Sequence, residues 1–239
     1  KYSHATKIFM ISRLIFEFAI DRGWMKDPNP ARNSPLTKNQ HKQKHNPHIA
    51  WNELPTFFEA FNQNPTNANE IVRGATKLLF LSCLRVGSLV GMRFDEVDYE
   101  NGLINVPAKR MKSKEDLQVP LTPEIKKVIK QMKSFNGHQE YVFYSARGSK
   151  NEFMNPSSPN TLIKRLGYKG KLTAHGIRAI FLTAGHETLG FDKNIIRIQM
   201  GHAIGDPVER SYLHAKFWKP RIKIMNAWNK ALLERGLEV

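Results

Sequence analysis

Positive charge runs the whole length of this chain, and that distribution limits what the chain can fold into more than any other feature. Lys and Arg number 37 against 21 Asp and Glu in 239 residues, a balance of +16 with His neutral. Because the excess is not gathered in one tail, a folded core has to carry it as a broad basic surface. A core is within reach: at 41% hydrophobic and 10% aromatic, the chain has material for one large domain and a piece of another. The balance argues against an acidic or neutral small-molecule enzyme and makes nucleic acid the first partner to consider. The longest apolar runs, such as KLLFLSCL around Leu78 to Leu84, fall far short of the roughly 20 residues a membrane span requires. The opening KYSHATKIFMISRLIFEFAI has charges inside its apolar stretch and no small-residue cleavage pattern, so it does not read as a signal peptide. The single cysteine, Cys83, sits in an apolar run and reads as a small buried hydrophobe in a reducing setting.

Ile8, Ile11, Ile15, Phe18 and Ala19 fall at helical spacing, and Gly23, Pro28 and Pro30 supply the stop, which predicts one amphipathic helix over 5–22. The stretch from Asp27 to Ile49 is rich in Pro, Asn, Lys and His, a linker composition. Residues 1–48 hold nine Lys/Arg against three Asp/Glu, so this side of the chain is basic and suits a polyanion. From Trp51 the pattern is that of a globular domain. It predicts helices over 51–62 and 67–83, a turn at DYENG, and a hairpin of LINVP and LQVPL around AKRMKSKED. Pro123 opens a further helix, and YVFYS reads as a short strand. Helices follow over 157–167, 174–189, 192–201 and 206–214, and Pro220 sits where the first residue of a last helix belongs. The expected fold is mainly α with a small antiparallel β-sheet.

No phosphate loop of the G-x-x-x-x-G-K type and no carboxylate cluster suited to Mg²⁺ is present, which argues against a nucleotide hydrolase or metal nuclease. Metal-free cleavage of a phosphodiester needs a protein nucleophile, cations against the non-bridging oxygens and an acid for the departing oxygen. LTAHGIRAIF puts His175 and Arg178 three apart behind a Thr173 cap, on one face near a helix N-terminus where anions are favoured. Arg85 follows an apolar helix and precedes Val86-Gly87, and GHAIGDPVERSYLHAK carries His202 and Tyr212. Each has a bland reading: a surface arginine with a buried stem, a packed histidine, or a tyrosine anchoring a helix by its ring. His41, His45 and His48 lie in the linker at a spacing that invites a metal, but solvated histidines among Lys and Asn fit that composition better.

Taken in order, the arginine, lysine, H-x-x-R, histidine and tyrosine resemble the tyrosine recombinases of the phage integrase family, of the prophage and genomic-island type. The resemblance covers essentially 50–215, carried by LSCLRVGSLVGMRFDEVD, INVPAKRMKSKEDLQVPLTPE, LTAHGIRAIFLT and MGHAIGDPVERSYLHA. It implies a catalytic domain over 50–239, a basic linker over 27–49, and in 1–26 the last helix of a core-binding domain, most of which would lie outside this chain. It implies site-specific integration and excision of a mobile element through a 3′-phosphotyrosine intermediate. Arg85 and Arg178 would grip the scissile phosphate, with His175 and His202 bonding it and assisting proton movement. Lys112 would be the general acid, with Lys109 and Lys114 as rivals, and Tyr212 the nucleophile. A phenol has a pKa of about 10, so it needs a base and local positive charge to attack at neutral pH.

Lys109, Arg110, Lys114, Lys164, Arg165 and Lys171 are the expected DNA-binding cations. The implied partners are duplex attachment sites, further copies forming a tetramer on DNA, and DNA-bending accessory proteins, in the cytoplasm at a bacterial nucleoid; no cofactor is implied. Ile222, Met225, Trp228 and Leu232 form an apolar stripe that fits either the chain's own domain or a helix exchanged between protomers. One departure stands out: many members carry a carboxylate three residues after the first arginine, where this chain has Ser88. That leaves two alternatives beside the recombinase, a type I topoisomerase-like relaxing enzyme and a DNA-binding relative with weakened catalysis.

Overall fold

The computed structural model describes residues 2–26, 28–32, 46–145, 152–202 and 217–239. The chain divides into two compact units, Lys1–His45 and Asn46–Val239. In the first, helix α1 runs Tyr2–Asp21 and ends where Gly23 turns to φ +69°, the stop the sequence predicts. Phe18 and Trp24 meet edge to face at 5.7 Å, and Asn29 donates its side-chain amide to the Arg13 carbonyl at 2.9 Å. The stripe of Ile8, Ile11, Ile15 and Phe18 is exposed.

The second unit is organised round one helix. α3 (Glu70–Ser82) starts at Asn69, whose side chain accepts from the Ile71 N–H, and is buried without interruption from Gly74 to Ser82. A helix apolar on every side belongs at the centre of a core. It touches α4 (Val86–Val90), α5 (Pro123–Asn136), α6 (Ser158–Ile163), α7 (Ala174–Glu187) and the last helix, α9 (Trp218–Glu234). α2 (Leu54–Gln63) brings Phe57 onto Phe80 and Tyr168 and Phe58 onto Phe80, with Phe61 stacked on Phe57, and α8 (Lys193–Gln199) packs on α7 and α9. The fold is mainly helical with a small antiparallel sheet, as the sequence predicts.

The sheet has the order β1 (Val97–Asp98), β2 (Leu103–Val106), β3 (Leu117–Pro120). Ile104 faces Val119 and Val106 faces Leu117, all four buried, while Asn105 points to solvent. Alternation therefore sets the register, since a one-residue slip would turn these side chains outward. The DYENG turn is held by the Asp98 carboxylate accepting from the Asn101 N–H and side chain. The 14-residue α5 begins at Pro123 behind a Thr122 cap.

Three expectations change. YVFYS is not a strand: Val142 and Phe143 are both fully buried, so no face alternates, and among the described residues its backbone makes isolated pairs with Met92, Arg93 and Glu152 to Met154. The 157–167 helix ends at Ile163 and widens over Lys164–Tyr168 into a looser turn, closed by Gly167 at φ +89°. The last helix starts at Trp218, placing Pro220 third in its first turn, where a missing N–H breaks no helical bond. The expected 206–214 helix lies outside the described residues, as do His41 and His45. Short α4 and β1 were not anticipated. No helix among the described residues is long and apolar enough to cross a membrane.

The apolar stripe of α9 is covered by its own domain: Met225, Trp228 and Leu232 are fully buried. Trp228 donates its indole N–H to the Phe80 carbonyl at 2.8 Å and its ring meets Trp51 at 5.2 Å and Phe181 at 4.8 Å. Trp228→Ala should lower unfolding free energy by about 3–5 kcal/mol, the usual range for losing a large buried aromatic, as read from urea denaturation. A loss below about 1 kcal/mol would mean that α9 is not part of the cooperative core.

Candidate active site

The site forms where three helix ends meet the hairpin. Thr173 caps α7: its hydroxyl accepts from the Gly176 N–H at 2.9 Å and donates to the Pro47 carbonyl at 3.3 Å. That cap starts the helix so that His175 and Arg178 lie one turn apart on one face. Gly176 lets the incoming segment approach, since a Cβ there would strike the Pro47 carbonyl.

Arg178 is 4% exposed and has no carboxylate partner among the described residues. Its guanidinium donates to the Cys83 carbonyl at 2.5 Å, to the Met200 carbonyl at 2.9 Å, and toward His202 Nε2 at 2.9 Å. Cys83 closes α3 in a left-handed conformation, φ 56°, and Met200 closes α8. The charge thus rests on the negative ends of two helix dipoles. Arg85, half-buried, donates to the next carbonyl, that of Gly201, at 3.3 Å. Both guanidinium groups keep their charge: burial, and for Arg178 also the neighbouring Arg85, lowers their pKa, that of Arg178 to about 10. Two cations oriented by neutral carbonyls leave a net positive site.

Arg85, Arg178 and His175 line a cleft of ≈ 420 Å³ together with Ser88 and the turn that bears Lys109, Arg110, Met111 and Lys112. Lys112 and Lys109 therefore both reach the cleft, while Lys114, in a left-handed turn at φ 62°, does not line it. Met111 is buried against Gly201, and this contact holds the lysine-bearing turn beside the arginines. Tyr212 lies outside the described residues.

Ser88 does not orient Arg85. It is 2% exposed and donates its hydroxyl to the Arg110 carbonyl at 2.9 Å. Arg110 in turn pairs with Glu96 and donates to the Gly91 carbonyl. Arg110, expected among the DNA-binding cations, lines the cleft with its charge paired to Glu96, and it braces the hairpin. Lys164, Arg165 and Lys171 are exposed and unpaired with any carboxylate among the described residues, on the stretch between α6 and α7; Arg165 touches the Thr66 carbonyl at 3.3 Å. Sequence reasoning missed the orienting carbonyls of Cys83, Met200 and Gly201, because main-chain groups carry no residue signature. Gly201 at φ +64° is the one visible trace.

Both histidines are driven toward the neutral form. Desolvation, then Arg178, Arg85 and Lys112, lowers the pKa of His175. Desolvation, then Arg178, Arg85, Arg197 and His175, lowers that of His202 to about 4. A guanidinium only donates, so His202 Nε2 accepts from Arg178 and its proton sits on Nδ1. At pH 7 the site therefore holds two charged arginines and two neutral imidazoles. It can bind an oxyanion, and His175, whose ring is exposed at the cleft, can take up a proton.

The match to known proteins agrees with this geometry. The model of the phage integrase family matches residues 48–218. Prophage integrase IntA of Escherichia coli (strain K12) is 30% identical over 191 residues, 78% of this chain and 44% of that protein. The integrase of Shigella phage Sf6 is 27% identical over 221 residues, 92% of this chain and 56% of its own. The chain spans about half the length of these curated relatives. Among solved structures, the Tn1549 transposon integrase (residues 82–397), in complex with circular intermediate DNA, shares the fold with a TM-score of 0.65 at 16% identity, over 94% of this chain and 79% of that one. A lambda integrase tetramer bound to a Holliday junction gives 0.61 at 16% identity, over 87% and 58%. The chain belongs to the phage integrase family, whose members are tyrosine recombinases.

Two measurements check the site. The His202 imidazole should titrate near pH 4 and show the Nδ1–H tautomer by ¹⁵N NMR; a midpoint near 6.5 would break the Arg178 contact. Since the unfolded chain then binds the proton more readily, stability should be full above about pH 6.5 and fall as pH drops toward 4. Gly201→Ala should cost about 1–2 kcal/mol for its left-handed backbone and also displace Met111, so unfolding would shift and the cleft lysine would move. Unchanged stability in that variant would contradict the packing of the hairpin on Gly201.

Proposed function

We propose that the chain is the catalytic part of a site-specific DNA recombinase, which cleaves and rejoins strands through a 3′-phosphotyrosine and so integrates or excises a mobile element. The observation that carries this is the arginine pair: Arg85 and Arg178, fixed on neutral carbonyls, open together onto one cleft with His175 and Lys112. Two guanidinium groups held in that way match the non-bridging oxygens of a phosphodiester and the charge that grows on them in the transition state.

In this reading the Tyr212 hydroxyl oxygen attacks phosphorus while its proton passes to neutral His175. The bond from phosphorus to the 5′ oxygen breaks, and the Lys112 ammonium protonates that oxygen. His202 holds Arg178 in register. The phosphotyrosine bond conserves the energy of the phosphodiester, so a 5′ hydroxyl from another strand can reverse the steps without a nucleotide. The basic residues Lys109, Lys114, Lys164, Arg165 and Lys171 would line the duplex, with Lys109 a second candidate acid. Ser88 does not imply a dead site, because Arg85 takes its support from Gly201. The named relatives are integrases, which favours recombination over DNA relaxation.

The larger assembly belongs to the same proposal: duplex attachment sites, a tetramer on DNA, DNA-bending accessory proteins, and action in the cytoplasm. The helix of 1–26 would close a core-binding domain, joined by the 27–49 linker to the catalytic domain of 50–239. Exchange of the last helix is not the role we assign to its apolar stripe, which α9 uses on its own domain.

A duplex nicked near the cleavage point tests the reaction. Wild type should form an SDS-resistant protein–DNA adduct unaffected by EDTA, and Tyr212→Phe none; equal adduct from both would place the nucleophile elsewhere. Arg178→Lys should bind DNA within a few-fold of wild type yet lose roughly 10²-fold or more in cleavage rate, because it keeps charge but not the two-pronged grip.

A further inference from the structure

Arg221 is the most costly side chain in the domain to explain by packing alone. It is 2% exposed, lies in the first turn of α9 where the helix dipole disfavours a cation, and has no carboxylate partner among the described residues. Burial lowers its pKa to about 10, which leaves it charged. Its Nε and one terminal nitrogen donate to Gln199 Oε1 at 3.0 and 2.9 Å, the latter nitrogen also to the Gln118 carbonyl on β3, and the group stands over the Trp218 ring at 5.5 Å. Removing it would leave the buried Gln199 Oε1 and the Gln118 carbonyl without a donor, so polar partners and not apolar packing hold the arginine in place.

Gln199 shows what the arginine reaches. With Oε1 taken by Arg221, its amide nitrogen donates to the Ser82 carbonyl at 3.3 Å. Ser82 adjoins Cys83, whose carbonyl holds Arg178, and Gln199 adjoins Met200 and Gly201, whose carbonyls hold Arg178 and Arg85. One side chain thus ties the C-terminal ends of α3 and α8 together directly behind the arginine pair.

We propose that Arg221 is a positioning residue of the site: through Gln199 it locks the two helix ends whose carbonyls orient Arg85 and Arg178, so the reactive geometry depends on the docking of the last helix. When α9 is seated, Gln199 is held with its amide toward Ser82 and the carbonyls converge. Without the Arg221 guanidinium, Gln199 loses its charged partner among the described residues, and the carbonyls that orient the arginines lose this brace. The inference rests on the recombinase reading for its consequence in catalysis but not for its structural claim.

Two variants of the full chain test it. Arg221→Met removes the buried charge and keeps the volume. Gln199→Glu keeps an acceptor for Arg221 but removes the N–H given to Ser82. In both, the His202 imidazole midpoint, read by ¹⁵N NMR, should rise above about 4 as Arg178 loosens, while the part of the shift due to burial remains. With the nicked duplex, adduct formation should slow about tenfold or more while DNA affinity stays within about twofold, a change confined to the transition state. Unchanged His202 titration and adduct rate in both variants would overturn the proposal and leave Arg221 a packing residue. If Arg221→Met does not fold, Gln199→Glu decides by the same readings. Should wild type itself form no adduct, a shifted His202 midpoint still supports the relay while the reaction assignment fails.

Discussion

A buried guanidinium without a carboxylate is the constraint from which the site follows. Arg178 stays charged, and with water removed its donors must be met by something. The chain meets them with carbonyls at the ends of α3 and α8, which forces those ends together at the first turn of α7. Cys83 accepts a left-handed backbone, and Gly201 must be glycine, to turn these carbonyls inward. Had an acidic residue paired with Arg178, one of the two arginine charges would have been cancelled. With carbonyls only, the positive charge is left over for a phosphate.

The same choice sets the proton chemistry. Partial burial, and then the surrounding positive charge, keep His175 and His202 neutral, so one imidazole accepts a bond from Arg178 and the other can accept a proton. The hairpin delivers Lys112 to the other side of the cleft, braced by Ser88, Arg110 and Glu96 and wedged by Met111 against Gly201. Arg85, Lys112, the His175 and Arg178 pair, and His202 therefore come from four chain segments that share one packed core. The linkage from Arg221 through Gln199 extends that dependence to the last helix.

Much of this was legible in the amino-acid order. The Thr173 cap, the Pro123 start and the LINVP and LQVPL strands of the hairpin are local signals, and local signals survive without coordinates. The residues Arg85, Lys112, His175, Arg178 and His202 were legible by type and order, and the fold gathers them. What did not show was the use of groups that every residue has. Carbonyls of Cys83, Met200 and Gly201 hold the arginines, and no side chain announces it. Arg110 looked like its lysine neighbours because charge count is blind to burial, and only its place beside Glu96 separates it from them. YVFYS had strand propensity, but both faces of Val142 and Phe143 are buried and the segment pairs only in isolated steps.

The central claim is that one phosphate is held jointly by Arg85 and Arg178 while Tyr212 takes its 3′ end. A crystal structure of the protein trapped on a nicked duplex tests it most directly. Phosphorus should be bonded to the Tyr212 oxygen, with both guanidinium groups on its non-bridging oxygens and still anchored to the Cys83, Met200 and Gly201 carbonyls. A phosphate bonded through another residue, or contacted by only one of the two arginines, would contradict it.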